Sequence, residues 1–167
     1  FRSNNKAEIL EVAALTAIAT DSVDVANIID NHANVEDVLS DGKIDHTDAA
    51  VTINGDTDFT VSDYNTISSS VGSLSFNTIK GSYSDLNTLG ATVDLSGKTI
   101  TVVGAIDKTE LVQLTETRGL TITSLTYDLE DAGATLAGMT STQLGEASNI
   151  AVTDSTSVSN LETIRDN

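Results

Sequence analysis

The chain has 167 residues, with 25 acidic against 8 basic side chains and a formal net charge of −17. Such a surface repels phosphate backbones and anionic lipids, which excludes nucleic-acid binding and membrane-surface binding as main roles. The absence of cysteine excludes disulfides and thiol chemistry, and the apolar runs are too short to insert into a membrane.

The first 48 residues are predicted to be helical. Residues 5–19 carry apolar side chains at helical spacing, and residues 21–39 continue with further Val, Ile and Leu. We therefore expect two or three helices that form a cap or docking segment, with a boundary near Ala49. Because the first residue is Phe1 rather than Met, we also expect a processed form or a fragment.

A short phrase recurs in the rest of the chain, residues 49–167. It consists of Ser or Thr, a polar residue and an apolar residue, with a second apolar residue three positions further on. Its copies begin at Ser62, Ser84, Thr109, Thr142 and Ser159. A hydroxyl residue followed by an acid or amide is typical of a helix N-cap, and the two apolar residues supply one buried stripe. Each copy therefore predicts a short capped helix.

Stretches of alternating polar and apolar residues lie between these helices. They are SLSF from residue 73, TVDL from 92, KTITVVG from 98, LTIT from 120 and IAVT from 150. This period of two predicts half-buried strands, whereas residues 126–139 are interpreted as an insertion that includes a degenerate helix. The predicted fold is α/β, an irregular β-solenoid-like stack of short strands and short capped helices, preceded by the helical cap. An ordinary α+β domain is the alternative.

Residues 37–48, DVLSDGKIDHTD, have the spacing of a twelve-residue calcium loop. Gly42 occupies the position of the turn glycine, and Leu39 occupies a ligand position without offering oxygen. The candidate ligands are Asp37, Asp41, Lys43 (through its carbonyl), Asp45 and Asp48. A surface turn with solvated acids is the alternative, and a weaker match follows at residues 54–63. The stretch resembles the calcium loop of dockerin modules, and that resemblance implies Ca²⁺ as the ligand.

Catalytic signals are scarce, and the chain is predicted not to be an enzyme. His32 and His46 are the only histidines, and neither a phosphate-binding glycine loop nor a GxSxG motif occurs. Acid pairs could serve a polysaccharide-degrading enzyme if they converged in one cleft. Tyr64, Tyr83 and Tyr127 could stack on sugars, but we interpret them as packing residues.

The repetitive sequence, which lacks proline and cysteine and is rich in Ser, Thr and Asp, resembles the strand-and-short-helix repeats of giant adhesins, sheath proteins and surface-layer proteins of aquatic bacteria. The resemblance covers most of residues 49–167 and the stretch TDSVDVANIID at residues 20–30. It implies a secreted or cell-surface structural protein, often stabilised by calcium. Open ends of such a stack favour head-to-tail self-association into a filament, sheath or surface layer. The alternative is a stalk segment of an adhesin or phage tail fibre that binds a glycan, and cell-surface polysaccharide is a further expected partner.

Overall fold

The structure, a computed structural model, describes residues 2–3 and 22–167. Its packing divides the chain into two compact units, Phe1–Ile79 and Lys80–Asn167. Both units combine β-strands with short α-helices, so the predicted α/β class is confirmed. The helix predicted over residues 5–19 lies outside the described residues. The boundary predicted near Ala49, between a cap or docking segment and the repeat region, stays a prediction.

In its described residues, the first unit has two small parallel sheets and two helices. The strands are β1 (Arg2–Ser3), β2 (Val23–Val25), β3 (Asn27–Asp30), β4 (Ile44–Asp45), β5 (Ala50–Ile53) and β6 (Ser73–Phe76), and the helices are α1 (His32–Ser40) and α2 (Val61–Ser68). The sheet orders are β1-β2-β4 and β3-β5-β6. The helix prediction is right for residues 32–40 and wrong for residues 23–30. In β2, Val23 and Val25 are buried on either side of Asp24, the period of a strand.

The second unit is built on one sheet whose strands are neighbours in chain order. The strands are β7 (Thr78–Gly81, of which the last two residues belong to this unit), β8 (Thr99–Ile106), β9 (Leu125–Asp131) and β10 (Asn149–Val152). The helices are α3 (Tyr83–Leu89), α4 (Lys108–Val112), α5 (Gly133–Ala137), α6 (Ser141–Gly145) and α7 (Val158–Asp166). A π-helical turn, Gln113–Thr117, continues α4, and a 3₁₀ turn, Ile122–Ser124, precedes β9. Strands β8, β9 and β10 pair in parallel.

The strand predictions at residues 73, 98 and 150 are confirmed, and those at 92 and 120 are wrong. Residues 92–95 form turns, because the amides of Thr92 and Val93 bond back to the carbonyl of Leu89 at the end of α3. The alternation from Leu120 leads into the 3₁₀ turn, and the strand begins at Leu125. The supposed insertion is thus a strand, β9, followed by the expected degenerate helix, α5.

The helices begin two residues earlier than predicted. The side-chain caps that replace the predicted ones are Thr60, Ser82, Asp107, Thr140 and Ser157. Thr60 shows why: its hydroxyl accepts the amide of Asp63, while the Asp63 carboxylate accepts the amide of Thr60. This reciprocal capping box requires an acid or amide three residues after the cap. The recurring Ser or Thr of the phrase is therefore the second helical residue.

Two apolar positions after each N-cap build much of the core. The fourth residue after the N-cap is fully buried in four of the helices: Val35, Leu86, Leu111 and Leu136. The seventh residue is Val38, Ile67, Leu89, Leu114 or Met139, again buried. The buried stripe that the phrase predicts is confirmed for the copies at Ser84 and Thr109. It is confirmed in part at Ser62 and Thr142, where one of the two apolar residues is buried, and it is wrong at Ser159, because no residue of α7 is buried. We call a strand together with the capped helix that follows it a layer.

The layers recur at a nearly constant step. The N-caps that open them are Asn31, Thr60, Ser82, Asp107, Ala132 and Ser157, separated by 29, 22, 25, 25 and 25 residues. In the first unit, Ile28 pairs with Val51 and Val51 with Leu74. Across residues 2–3 and 22–167, the structure contains no helix both long and apolar enough to cross a membrane.

Candidate functional site

The residues of the predicted calcium loop lie along the end of α1 and the turns that follow. Asp37 is an exposed residue within α1, Asp41 directly follows the helix, and Lys43 directly precedes β4. Asp45 ends β4, and Asp48 lies in the turn before β5. The candidate ligands thus follow one another on a short stretch of surface.

Two of these carboxylates hold local turns. The carboxylate of Asp41 accepts the amide of Lys43 at 3.0 Å. The carboxylate of Asp45 accepts the amide of Thr47 at 3.2 Å and its hydroxyl at 3.0 Å, and these hydrogen bonds lower the pKa of Asp45. Gly42 has open space around its α-carbon and no positive φ, so its backbone does not require glycine, contrary to expectation.

Among residues 22–167, no three His, Asp or Glu side chains converge into a group that fits a metal ion. That finding leaves the calcium loop at residues 37–48 as a prediction. In the weaker second match, residues 54–63, two of the acids, Asp56 and Asp63, lie beside the ring of His32.

His32 is the first residue of α1 and forms a cluster with two aspartates, which we call the His32 cluster (His32, Asp56 and Asp63). Its Nδ1 lies 2.5 Å from Oδ2 of Asp56, and its backbone amide donates to the same oxygen at 2.8 Å. Its Nε2 lies 3.8 Å from Oδ2 of Asp63. Both ring nitrogens therefore face carboxylates. The imidazole links the start of α1 to Asp56 and to Asp63 at the start of α2.

Each acid of the cluster is fixed by its own element. Asp56 follows Gly55, whose positive φ of 65° turns the chain after β5. Asp63 lies in the first turn of α2, where its carboxylate accepts the amide and the hydroxyl of Thr60 at 2.8 and 2.7 Å. The cluster is thus assembled from α1, the loop after β5 and the start of α2, all within the first unit.

The charges of the cluster favour an ion pair. Burial by itself would lower the pKa of His32, but the hydrogen bond to Asp56 and the charges of Asp56, Asp63 and Glu36 outweigh it, so the pKa is raised. Burial would raise the pKa of Asp56, but its hydrogen bonds from the amide and ring of His32 outweigh that effect and the pKa is lowered. The pair is therefore charged in mildly acidic solution.

His32→Gln is expected to make the stability of the protein less dependent on pH. Glutamine can still donate to Asp56 but carries no charge, so at about pH 5.5 the variant loses about 1 kcal/mol of unfolding free energy. The histidine contribution is present below the ordinary histidine pKa and is lost as the pH rises through the raised value. Wild type and variant should therefore differ less at about pH 8.5.

Denaturant unfolding of both proteins at the two pH values provides the measurement. His46→Gln is the matched control, because His46 contacts only the carbonyl of Ile44 in the described hydrogen bonds, at 3.1 Å. A difference between wild type and His32→Gln that is the same at both pH values would show that the ion pair contributes nothing.

Aspartates also join successive layers, at three helix starts. The amide of the first helical residue donates to an aspartate 21 to 24 residues later: His32 to Asp56 at 2.8 Å, Lys108 to Asp131 at 3.1 Å and Gly133 to Asp154 at 2.8 Å. A carboxylate is favourable here because the first amides of a helix lack internal partners and carry partial positive charge. We call these contacts the interlayer aspartates. They tie the start of one helix to the chain of the next layer.

A shallow groove lies between α1 and α2. Its volume is about 450 Å³, and it is lined by Glu36, Leu39, Ser40, Thr66 and Ser70. Glu36 is the one ionisable residue of that lining, so the groove brings no pair of catalytic groups together. Three described aromatic residues of the first unit pack on one another outside this groove: the Phe59 and Phe76 rings are 5.5 Å apart, and Tyr64 meets Phe76 edge-on.

The interlayer aspartates are not predicted by the sequence patterns described above. By sequence alone, Asp56 belongs to the weak calcium match at residues 54–63, Asp131 forms an acid pair with Glu130, and Asp154 belongs to no motif. The available signal is an aspartate 21 to 24 residues after the first residue of a helix. That signal can be recognised only when the true helix starts are known.

Comparisons with known proteins identify no relative. No family model matches the chain, and neither a curated protein nor a solved structure matches it.

Proposed function

We propose that the protein is an extracellular structural subunit that self-assembles into a filament, sheath or surface layer, and that its layers form an irregular, open β-solenoid. One observation carries the proposal. Strand β10 pairs with β9 along one edge, and among the described residues no strand pairs with its other edge. An open edge of backbone donors and acceptors favours addition of another strand, and a contact that does not close builds a fibre.

The layered construction of the second unit supports a structural role. Strands follow one another in chain order, and α3, α4 and α5 each place buried apolar residues at the fourth and seventh positions after the N-cap. The interlayer aspartates add a polar contact at the helix starts. Such a stack gains stability with each added neighbour, as repeat proteins do, and it grows in one dimension.

Glycan binding and catalysis have less support. A glycan-binding stalk would present exposed aromatic rings, whereas Phe59, Phe76 and Tyr127 are buried and Tyr64 is half-buried. A hydrolase would need a free base or converging acids, whereas both ring nitrogens of His32 face carboxylates. We therefore propose a protein without enzymatic activity.

We propose that cations favour assembly, because the protein is strongly acidic. A net charge of −17 on each copy opposes association, and salt or divalent cations reduce that repulsion. We propose that Ca²⁺ held by residues 37–48 also stabilises the subunit, with the carbonyl of Lys43 and the four aspartates of that loop as ligands. Specific calcium binding and general screening predict different results, because only the former distinguishes Ca²⁺ from sodium at equal ionic strength.

Electron microscopy of the negatively stained protein tests this function. Samples contain millimolar Ca²⁺, sodium chloride of the same ionic strength, or a chelator. Filaments or sheets in the first sample are expected, and their loss in both other samples supports the calcium site. Assembly in the sodium sample as well would leave the structural role intact and remove specific calcium from it. Single particles in every sample, up to the highest soluble concentration, would overturn the proposed function.

A further inference from the structure

We propose that Asn54 and Gly55 form a site of spontaneous deamidation, and that the isoaspartate it produces separates Asp56 from His32. The inference is independent of the proposed function, because it concerns a covalent change within the first unit. Asn54 and Gly55 are the one Asn-Gly pair in the 167-residue sequence. They lie in the loop between β5 and α2, directly before the aspartate that binds the start of α1.

The reaction needs only these two residues and water. The backbone nitrogen of Gly55, after losing its proton to hydroxide, attacks the side-chain Cγ of Asn54. A bond from that nitrogen to Cγ forms, and the bond from Cγ to Nδ2 breaks. The departing nitrogen takes a proton from water and leaves as ammonia, and the chain keeps a succinimide ring. Water then opens the ring at either carbonyl, which yields aspartate or isoaspartate at position 54 without any oxidation or reduction.

Gly55 leaves the attacking nitrogen accessible. It places no side chain beside the ring that forms, and nothing lies within 4 Å of the position where a β-carbon would stand. Both residues of the pair are exposed, so water and hydroxide reach them. Among the described hydrogen bonds, none has the amide of Gly55 as its donor, so the nitrogen gives up no acceptor when it attacks.

The side chain of Asn54 is also less restrained than those of other asparagines. A hydrogen bond holds five asparagine side chains elsewhere: Asn31, Asn34, Asn87, Asn149 and Asn160. In the described part of the chain, no hydrogen bond includes the side chain of Asn54. Asn65 and Asn77 are exposed like Asn54, but each is followed by threonine, whose branched side chain crowds the nitrogen that would close the ring. Asn54 therefore combines a mobile amide with an unhindered nucleophile.

The modified bond lies between two fixed points. The backbone amide of Asn54 donates to the carbonyl of Asp30 at 3.0 Å, and Asp56 accepts the amide of His32 at 2.8 Å. An isoaspartate at position 54 routes the backbone through its side chain and adds a carbon atom between these points. Because the contact with Asp30 continues the ladder of β3 and β5, we expect the contact between Asp56 and His32 to be the one that is lost.

Incubation of the folded protein in mildly alkaline buffer tests the site. Peptide mass spectrometry follows the replacement of each side-chain amide by a carboxyl group, and fragmentation by electron transfer distinguishes isoaspartate from aspartate. Asn54 should convert at least about tenfold faster than Asn65 and Asn77, which serve as controls within the same molecule. Conversion of Asn54 no faster than that of Asn65 and Asn77 would overturn the site.

Denaturant unfolding at mildly acidic pH tests the consequence. Incubated wild type should unfold at a lower denaturant concentration than fresh wild type, by a shift that grows with its isoaspartate content. Incubated Asn54→Gln should show no shift, because glutamine would have to close a larger ring. Fresh Asn54→Asp carries the added charge without the added backbone atom, and it should unfold close to fresh wild type. An isoaspartate-rich sample that is as stable as fresh protein, or an Asn54→Asp variant destabilised as much as that sample, would overturn the loss of the contact between Asp56 and His32.

Discussion

Leu111→Ala is expected to lower the free energy of unfolding by about 2 to 5 kcal/mol, the range for a leucine truncated in a packed core. Leu111 is 0% exposed and lies four residues after the N-cap of α4. Ile106 and Leu114 of the same layer are also buried, so the truncation is made inside the apolar core. Urea unfolding followed by circular dichroism provides the measurement.

Leu161→Ala is the matched comparison, because it makes the same chemical change at the equivalent position of α7. In dilute, unassembled protein it should cost less than about 1 kcal/mol, since much of the side chain is already in water. Similar costs for the two variants would contradict the difference in exposure between Leu111 and Leu161.

Gly133→Ala is expected to destabilise the last layer by about 1 to 3 kcal/mol or more, through overpacking. A β-carbon at Gly133 would lie 2.4 Å from both Cβ and Oγ1 of Thr156. The hydroxyl of Thr156 accepts from the amide side chain of Asn160 at 2.9 Å, which holds the threonine in place. Relief of the clash would move residues 154–156 and lengthen the 2.8 Å hydrogen bond from the Gly133 amide to Asp154.

Gly145→Ala is the control for this prediction, because nothing lies within 4 Å of the β-carbon it would add and its φ is not positive. Its effect on denaturant unfolding should be within about 0.5 kcal/mol. Equal effects of the two alanine variants would indicate that the contact between Gly133 and Thr156 is not tight.

The helix stripes were the most predictable part of the fold. Two apolar residues three apart, repeated after similar polar residues, indicate the buried side of a short helix whichever residue caps it. The caps were misplaced because Ser62 and Thr60 are both preferred N-cap residues by type. The reciprocal bond with Asp63 decides between them, and it selects Thr60.

The strands depended more on their surroundings. Residues 92–95 and residues 73–76 have the same alternation, yet only the second set has a partner strand; the first set turns at the end of α3. Strand β9 was not predicted because acids follow its apolar residues. Those acids include Asp131, whose carboxylate accepts the amide of Lys108. Local sequence alone assigns such an acid to a loop.

The candidate sites differed in how much of them could be predicted. The calcium loop is contiguous, so its ligands could be proposed from spacing alone. The His32 cluster joins residues 24 positions apart, and its existence depends on the layer step and on the loop that Gly55 turns. No local motif contains that information, so the role of Asp56 and Asp63 beside His32 could not be predicted from residues 54–63.

The central claim is that copies of the protein assemble by strand addition at the edge of β10 that no described strand pairs with. Hydrogen exchange of the backbone amides of Asn149–Val152 tests it most directly, measured by mass spectrometry below and above the concentration at which the protein assembles. We expect exchange in β10 and α7 to slow on assembly, while β9, already paired on both edges, exchanges slowly in both states. Rapid exchange of β10 in the assembled protein would contradict the claim and place the contact elsewhere.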